Sequence, residues 1–387
     1  MGIVKDLTVA ARRWAAARSA PSALAESARE REELRRWYAA ITGELPATEL
    51  RGSGLFEIDA KDLPWIDTGL DLEAGESVST FAAGRVVMSE PLDIWVGPQF
   101  QLWMRVGEGG TIFNGTRSTH SFPAGSAGRL YLAGYFPGQW GDPQGRVSTP
   151  LAEYGNFRGG ITVAVLRWSG DAASSLEAFA PSDAGGFLAL EAARLREQAP
   201  PPPGWHYLWF LGRSEIFREA VHDGRPCIAC HTERNVSILQ RDVVADLAPG
   251  TRIAWQWNVR ELPSPLREDT QASHDYLSVA VEFENGRDIT YTWSRELAAG
   301  TGYWCPLPTW KDREFHVVVR SGSQGLGQWL AEERDLHADY RRYIGEPPKR
   351  VVRVWLIAVS IFHGNRGIAE FSDIRLVAPG GTAVALG

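Results

Sequence analysis

Apolar and polar residues alternate along Ile253-Ala254-Trp255-Gln256-Trp257-Asn258-Val259, again from Tyr276 to Phe283, and again from Ile289 to Trp293. Period-two alternation bounded by Pro, Gly and Asn-Gly predicts half-buried antiparallel strands. Asn285-Gly286, between the second and third runs, predicts a two-residue hairpin turn of type I′. From Leu55 to Trp168 short apolar runs and Gly-rich turns recur at roughly eight to twelve residues, the spacing of a sandwich or barrel. Helical spacing appears elsewhere. Leu7, Ala11, Trp14 and Ala15 share one stripe, and Ala25 to Ile41 forms a second helix with an Arg/Glu-rich outer face. Pro21 separates the two, so a helical hairpin is expected, packed on the first β domain or on a partner subunit. Phe187 to Arg196 predicts another helix, and Gly325 to Tyr343 a helical insertion with Glu332, Glu333, Asp335, Asp339, Arg341 and Arg342 on a solvated face.

The run Pro200-Pro201-Pro202-Pro203 is stiff and fits neither helix nor inner strand, so it marks a boundary. The expected fold is mainly β: two β-sandwich or jelly-roll domains with an N-terminal helical hairpin and a helical insertion in the second domain. The expected divisions are 1–50 (helical), 51–170 (first sandwich), 171–204 (helix and Pro-rich linker) and 205–387 (second sandwich).

Several pieces of residues 65–168 carry a family likeness: Gly75-Glu76-Ser77-Val78, Trp95-Val96-Gly97-Pro98-Gln99, Leu102-Trp103-Met104-Arg105-Val106-Gly107, and Tyr154-Gly155-Asn156-Phe157-Arg158-Gly159 running into Ile161-Thr162-Val163. The stretch resembles the bacterial, calcium-dependent PA-I-type galactose-binding lectins. That resemblance implies a sandwich whose last loop holds calcium and sugar. Of the family's two consecutive Asn in that loop, the first is kept as Asn156 and the second is Phe157; the neighbouring loop, Tyr135 to Trp140, has no Asp. Asp142 is then the cation ligand within reach, and Trp140 the ring for stacking. Residues 216–377, through Cys227 to Leu239, Ile253 to Trp257, His274-Asp275-Tyr276, Tyr291-Thr292-Trp293-Ser294 and Ala369 to Leu376, resemble an uncharacterised bacterial domain family with a galactose-binding-like jelly roll. Asp373 resembles the position where related jelly rolls hold a structural calcium.

Composition narrows the function classes. The 387 residues are 44% hydrophobic and 22% charged, an ordinary globular balance, with a net charge of −7 and no basic stripe, which argues against nucleic acid. No run approaches the ~20 apolar residues of a membrane span, and the N-terminal stretch lacks the apolar core of a secretory signal; a cytoplasmic setting is expected. Sixteen Trp is a heavy load, suited to wide cores and to ligand walls alike.

Cys227-Ile228-Ala229-Cys230-His231 matches the c-type haem attachment pattern. Its strand-like context turns the two Cys to opposite faces, so neither haem nor zinc is expected there. Cys305 stands apart from both. No nucleophile elbow, P-loop, Rossmann fingerprint or His-Glu-x-x-His occurs, so catalysis would use dispersed groups.

The leading reading is a cofactor-free acid–base enzyme: a lyase, isomerase, cyclase or hydrolase for an apolar or glycosidic small molecule. Its catalytic groups would be His274, Asp275, His231 and Asp288, with His363 and Glu282 as companions. Trp140, Trp255, Trp257, Tyr276 and Trp293 would line an aromatic cleft between the sandwiches. No cofactor is required in this reading, although calcium on Asn156, Asp142 or Asp373 would be structural. The alternative is a non-catalytic, lectin-like carbohydrate binder; a third reading is a homo-oligomer assembled through the N-terminal helices.

Overall fold

The computed structural model describes residues 2–18, 21–61, 65–135, 140–183 and 185–386. The chain divides into two compact units: 16–198 with 209–214, and 1–15 with 199–208 and 215–387. The expected boundaries therefore shift at two points. The first helix, α1 (Gly2–Ala17), belongs up to Ala15 with the C-terminal unit, and residues 209–214 beyond the Pro run belong with the N-terminal one. The cause for α1 is polar. Lys5 Nζ lies 2.8 Å from a carboxylate oxygen of Asp269, Arg12 pairs with Glu296 at 2.9 Å, and Arg13 donates to the Ala272 carbonyl at 2.9 Å.

In the N-terminal unit, α2 (Ala23–Glu44) precedes β1 (Leu50–Asp59), β2 (Ile66–Leu72), β3 (Ser77–Ser89), β4 (Ile94–Val96), a one-turn α3 (Pro98–Gln101), β5 (Leu102–Val106), β6 (Phe113–Asn114), β7 (Thr119–Pro123), β8 (Gly128–Gly134) and β9 (Arg158–Trp168). Helices α4 (Ala172–Phe179) and α5 (Phe187–Arg196) close it. One sheet runs β1-β9-β3-β4 with β7 on β3; the other runs β2-β8-β5-β6. Val78, Ala82, Val163 and Val165 face Leu102, Met104, Leu130 and Leu132 in one core. On the other face of the first sheet, Phe81, Leu166 and Trp168 bury Leu34 and Trp37 of α2, Leu176 of α4 and Leu188 of α5. Each such fully buried large side chain contributes roughly 1.5–3 kcal/mol. Gly84 lets both β9 and α2 come close: its φ is +110°, and a Cβ there would meet the Gly160 carbonyl oxygen of β9 at 2.4 Å and the Arg31 side chain of α2 at 2.8 Å. Ser27 of α2 accepts a bond from the Arg85 amide at 2.8 Å at the same contact.

The C-terminal unit holds β10 (His206–Tyr207), β11 (Phe217–His222), β12 (Arg225–Glu233), β13 (Val236–Asp246), β14 (Arg252–Glu261), β15 (Tyr276–Phe283), β16 (Asp288–Ser294), β17 (Gly302–Trp304), β18 (Glu314–Ser321), β19 (Leu330–Asp335), α6 (Leu336–Tyr343), β20 (Arg350–Val359), β21 (Arg366–Val377) and β22 (Ala383–Ala385). A seven-stranded sheet, β10-β13-β20-β15-β16-β18-β17, packs on a six-stranded one, β11-β12-β21-β14-β19 with β22 on β21. Their shared core takes Trp255, Trp257 and Val259 from one side and Val279, Val281, Tyr291, Trp293 and Leu356 from the other.

Two local expectations change. The β15–β16 turn has three residues, Glu284, Asn285 and Gly286; the Phe283 amide donates to the Arg287 carbonyl at 2.9 Å, and Gly286 alone takes a positive φ, +75°. A type I′ turn needs two such residues, and Asn285 does not supply one. The expected insertion helix is halved. Gly325 and Gly327 take positive φ, Leu330–Asp335 pairs as strand β19 with β14, and only Leu336–Tyr343 is helical, N-capped by Asp335. The expected solvated face holds only in part: Glu333, Arg341 and Arg342 are exposed, whereas Glu332 accepts from the core residue Trp257 and Asp339 is buried, accepting from Tyr291 and Arg334.

Candidate functional site

The outer face of the six-stranded sheet carries an open groove of about 170 Å³, lined by Gln256, Glu332, Asp373 and Arg375 with Ala254, Trp255, Ala331 and Glu333. Strand alternation creates it. While Trp255 and Trp257 enter the core, Gln256 between them faces out. A β-bulge sharpens the site. Ala254 pairs with Arg375 and Gln256 with Ser372, so β21 has one residue more than β14 across this interval. That extra length falls at Asp373, whose φ of +50° is unusual for a non-glycine residue. Bulges re-aim side chains, and strained backbone gathers at ligand sites.

The polar groups are tied together. Gln256 Nε2 donates to Asp373 Oδ2 at 3.4 Å, and Arg375 Nη1 lies 3.1 Å from the same carboxylate. Arg225 of β12 donates to Gln256 Oε1, while its guanidinium lies 4.8 Å from the centre of the Trp329 ring. Glu332, opposite core-facing Trp255, turns its carboxylate inward, where it accepts from Trp257 Nε1 at 3.1 Å and pairs with Arg320. Deeper along the same face Asn258 and Glu370 are buried, and Asn258 Oδ1 and Glu370 Oε2 have no hydrogen-bond partner. The result is a floor of amide, carboxylate and guanidinium groups beside an indole.

The sequence-derived candidates separate into four places. His231 is exposed on the outer face of the six-stranded sheet, on the same side of β12 as Cys227. Cys230 faces the core instead, and the thiols of Cys227 and Cys230 are both free. Trp255, Trp257 and Trp293 are packed between the sheets with 0–1% of their surface exposed; Trp255 borders the groove without offering it an exposed ring, and Trp257 and Trp293 belong to the core. Trp140, in the N-terminal unit, is buried against Tyr135 and Trp65 at ring distances of 3.8 and 5.2 Å.

His274, Tyr276 and Asp288 collect on the outer face of the seven-stranded sheet, which segments 262–275 and 295–312 cover, and Asp275 is buried beside them in sequence but turned elsewhere. His274 Nδ1 lies 2.7 Å from the Glu268 carbonyl oxygen. Burial and the neighbouring His316 hold the His274 imidazole down at about 3. Asp275 accepts from the amides of Phe362 and His363 at 2.9 and 2.6 Å, yet burial pushes its carboxyl up to about 7. Burial and the charge of Glu314 push Asp288 well above the carboxylate range; Thr290 donates to it at 2.8 Å. His274 and Asp275 point apart, as adjacent residues at a strand start must.

The expected calcium ligands are Asn156 and Asp142 in the N-terminal unit and Asp373 in the C-terminal one. Asp142 accepts from the amides of Gln144 and Arg146, both at 3.1 Å, and pairs with the Arg146 side chain, so its carboxylate closes its own loop. Asn156 ends an exposed turn of 3₁₀ helix, and Asp373 lies in the other unit. Calcium takes six to eight oxygens. Residues 136–139 of the neighbouring loop lie outside the described residues.

Residues 203–375 match the family model DUF3047, a protein of unknown function. No curated protein matches the chain. Among solved structures it is similar to an EclA N-terminal domain, a PllA-like lectin, at 19% identity and TM-score 0.23, covering 30% of this chain and 95% of that one. It is also similar to the xyloglucanase domain of NopAA, a type three effector from Sinorhizobium fredii in complex with cellobiose, at 8% identity and TM-score 0.27, covering 48% of this chain and 94% of that one. A carbohydrate-binding module of the β-sandwich superfamily is 8% identical with TM-score 0.23, covering 86% and 100%. At such scores the sandwich architecture rests on this chain's own strand pairings.

Chemically, the groove offers paired donors and acceptors in fixed positions, which suits a ligand rich in hydroxyl groups. The signal that sequence reasoning missed here is Arg225 with Trp329. They are 104 positions apart, and only the sheet brings them together. Among the described residues no helix is long and apolar enough to cross a membrane.

Proposed function

We propose that the chain is a non-catalytic carbohydrate-binding protein whose ligand lies on the six-stranded sheet of the C-terminal unit. The observation that carries this reading is the groove itself: Gln256, Asp373 and Arg375 fixed by one another, with Trp329 held beside them by Arg225. Sugar hydroxyls need acceptors and donors at set angles, and the apolar face of a pyranose ring needs an aromatic surface. The groove is smaller than the ~300–1,000 Å³ of drug-sized pockets, so it fits one ring or the end of a chain. The acid–base reading lacks an accessible proton carrier at its best residues, since His274, Asp275 and Asp288 are each no more than 1% exposed.

Glycan-array screening of the full chain, followed by calorimetric titration, tests the proposal. Saturable binding of a saccharide that weakens at least tenfold in Gln256→Ala and in Trp329→Ala is the expected result, with melting temperatures unchanged. Wild-type protein that binds no saccharide at millimolar concentration, or variants that bind as wild type does, would overturn it.

A further inference from the structure

The covered face of the seven-stranded sheet holds four metal-ligating side chains with their donor atoms turned together. His274 precedes β15, Cys305 follows β17, and Glu314 and His316 stand two apart on β18, hence on one face. One donor atom from each lies within 4.8 Å of all the others. His274 Nε2 is 3.2 Å from Cys305 Sγ, and His316 Nε2 is 3.5 Å from Glu314 Oε1. All four residues are buried, with His274 and His316 at 0% exposure, and neither ring nitrogen of His316 makes a hydrogen bond. An imidazole sealed from water, with only a carboxylate oxygen 3.5 Å from Nε2 and nothing on Nδ1, is under-satisfied unless a group beside it accepts a lone pair.

We propose that His274, Cys305, Glu314 and His316 bind one divalent transition-metal ion of the zinc class. The donor chemistry selects the metal: one thiolate, two imidazoles and one carboxylate suit zinc and exclude calcium and magnesium, which take oxygen ligands. Tetrahedral zinc with bonds of about 2.0–2.3 Å needs ligand atoms roughly 3.3–3.7 Å apart; the His316–Glu314 pair at 3.5 Å lies in that range and the His274–Cys305 pair at 3.2 Å just below it. The surroundings orient the ligands as well. The Glu268 carbonyl, 2.7 Å from His274 Nδ1, fixes the proton there and leaves Nε2 as the donor toward Cys305. Tyr303 stacks on the His316 ring at 4.8 Å with 3° between planes, and Tyr276 donates to Glu314 at 2.7 Å. Four protein ligands and full burial leave no open coordination position, so the ion is structural: it pins segments 262–275 and 295–312 to the sheet. On binding, the Cys305 thiol gives up its proton to solvent.

The test uses the full chain, tag-free, stripped with a chelator and titrated with zinc and with cobalt. One equivalent of zinc should bind and raise the melting temperature by about 5 °C or more. One equivalent of cobalt should give tetrahedral visible bands and a thiolate-to-cobalt charge-transfer band. That band should vanish in Cys305→Ser and persist in Cys227→Ser. His316→Gln should weaken metal binding at least tenfold. Wild-type chain that takes up neither metal stoichiometrically, with one melting temperature in zinc and in chelator, would overturn the proposal. So would a charge-transfer band that survives in Cys305→Ser.

Discussion

His120 should make the N-terminal unit lose stability as pH falls below neutrality. Burial, then the positive charge of Arg194, holds its imidazole down at about 4 against a usual 6.5, although Glu191 opposes the shift. The ring lies on Phe122 at 5.8 Å between centroids, 22° from parallel. Between these two pKa values the unfolded chain binds a proton that the folded chain refuses, so stability rises with pH across the window and is complete above about pH 6.5. At about 1.4 kcal/mol per unit, the gap from 6.5 to 4 corresponds to about 3 kcal/mol; partial solvent contact of the ring reduces the expectation to about 2 kcal/mol. Denaturant unfolding of the wild type and of His120→Gln at intervals from pH 4 to 7.5 measures it. The wild type should lose about 2 kcal/mol more than the variant on going from pH 7 to 4. Histidine ring signals followed by NMR should place the His120 midpoint near 4. A midpoint near 6.5, with parallel stability profiles for the two proteins, would refute the reasoning.

Three further outcomes follow from packing. Gly84→Ala should destabilise the N-terminal unit by about 2 kcal/mol or more, because φ is +110° and the added carbon meets the Gly160 carbonyl at 2.4 Å; a melting temperature equal to wild type would show that the strand contact yields. Trp257→Ala empties a fully buried site against Trp255, Trp293 and Phe371 and should cost about 3–5 kcal/mol, read from chemical unfolding of the C-terminal unit. Asp335→Ala removes the oxygen that caps the Ala338 amide at 2.9 Å and should cost about 1 kcal/mol, visible as faster amide exchange in the first turn of α6.

The sandwich architecture was readable where one face of a strand is wet. Gln256 between Trp255 and Trp257 announces both the strand and its exposed side. The alternation was less informative in β15 and β16, which are buried on both faces. There the polar residues Ser278, Asp288, Thr290 and Thr292 read as solvent-facing, yet they line an interior surface. Leu330–Asp335 read as helix because its charges fit an i,i+4 pattern as well as an edge strand. The four metal-ligating residues span 274 to 316 with no spacing that local geometry would enforce. Cys305 looked solitary because its partners come from two other places in the sheet topology, the start of β15 and strand β18. The one local hint was Glu314-Phe315-His316, two ligating types on one face of a strand whose middle residue enters the core.

The borders of the seven-stranded sheet determine how this protein behaves in a crowd. Its terminal strands, β10 and β17, are two and three residues long, whereas the eight- to ten-residue strands β15 and β20 lie inside it. Where β10 stops, β13 runs on past it with Arg241, Asp242 and Asp246 and breaks register between Asp242 and Ala245. A neighbouring chain seeking to extend the sheet meets a bent, charged margin with few unpaired amides in a row. Lengthening β10 by a few alternating apolar residues would create a continuous border, and fibrillar association would then compete with folding.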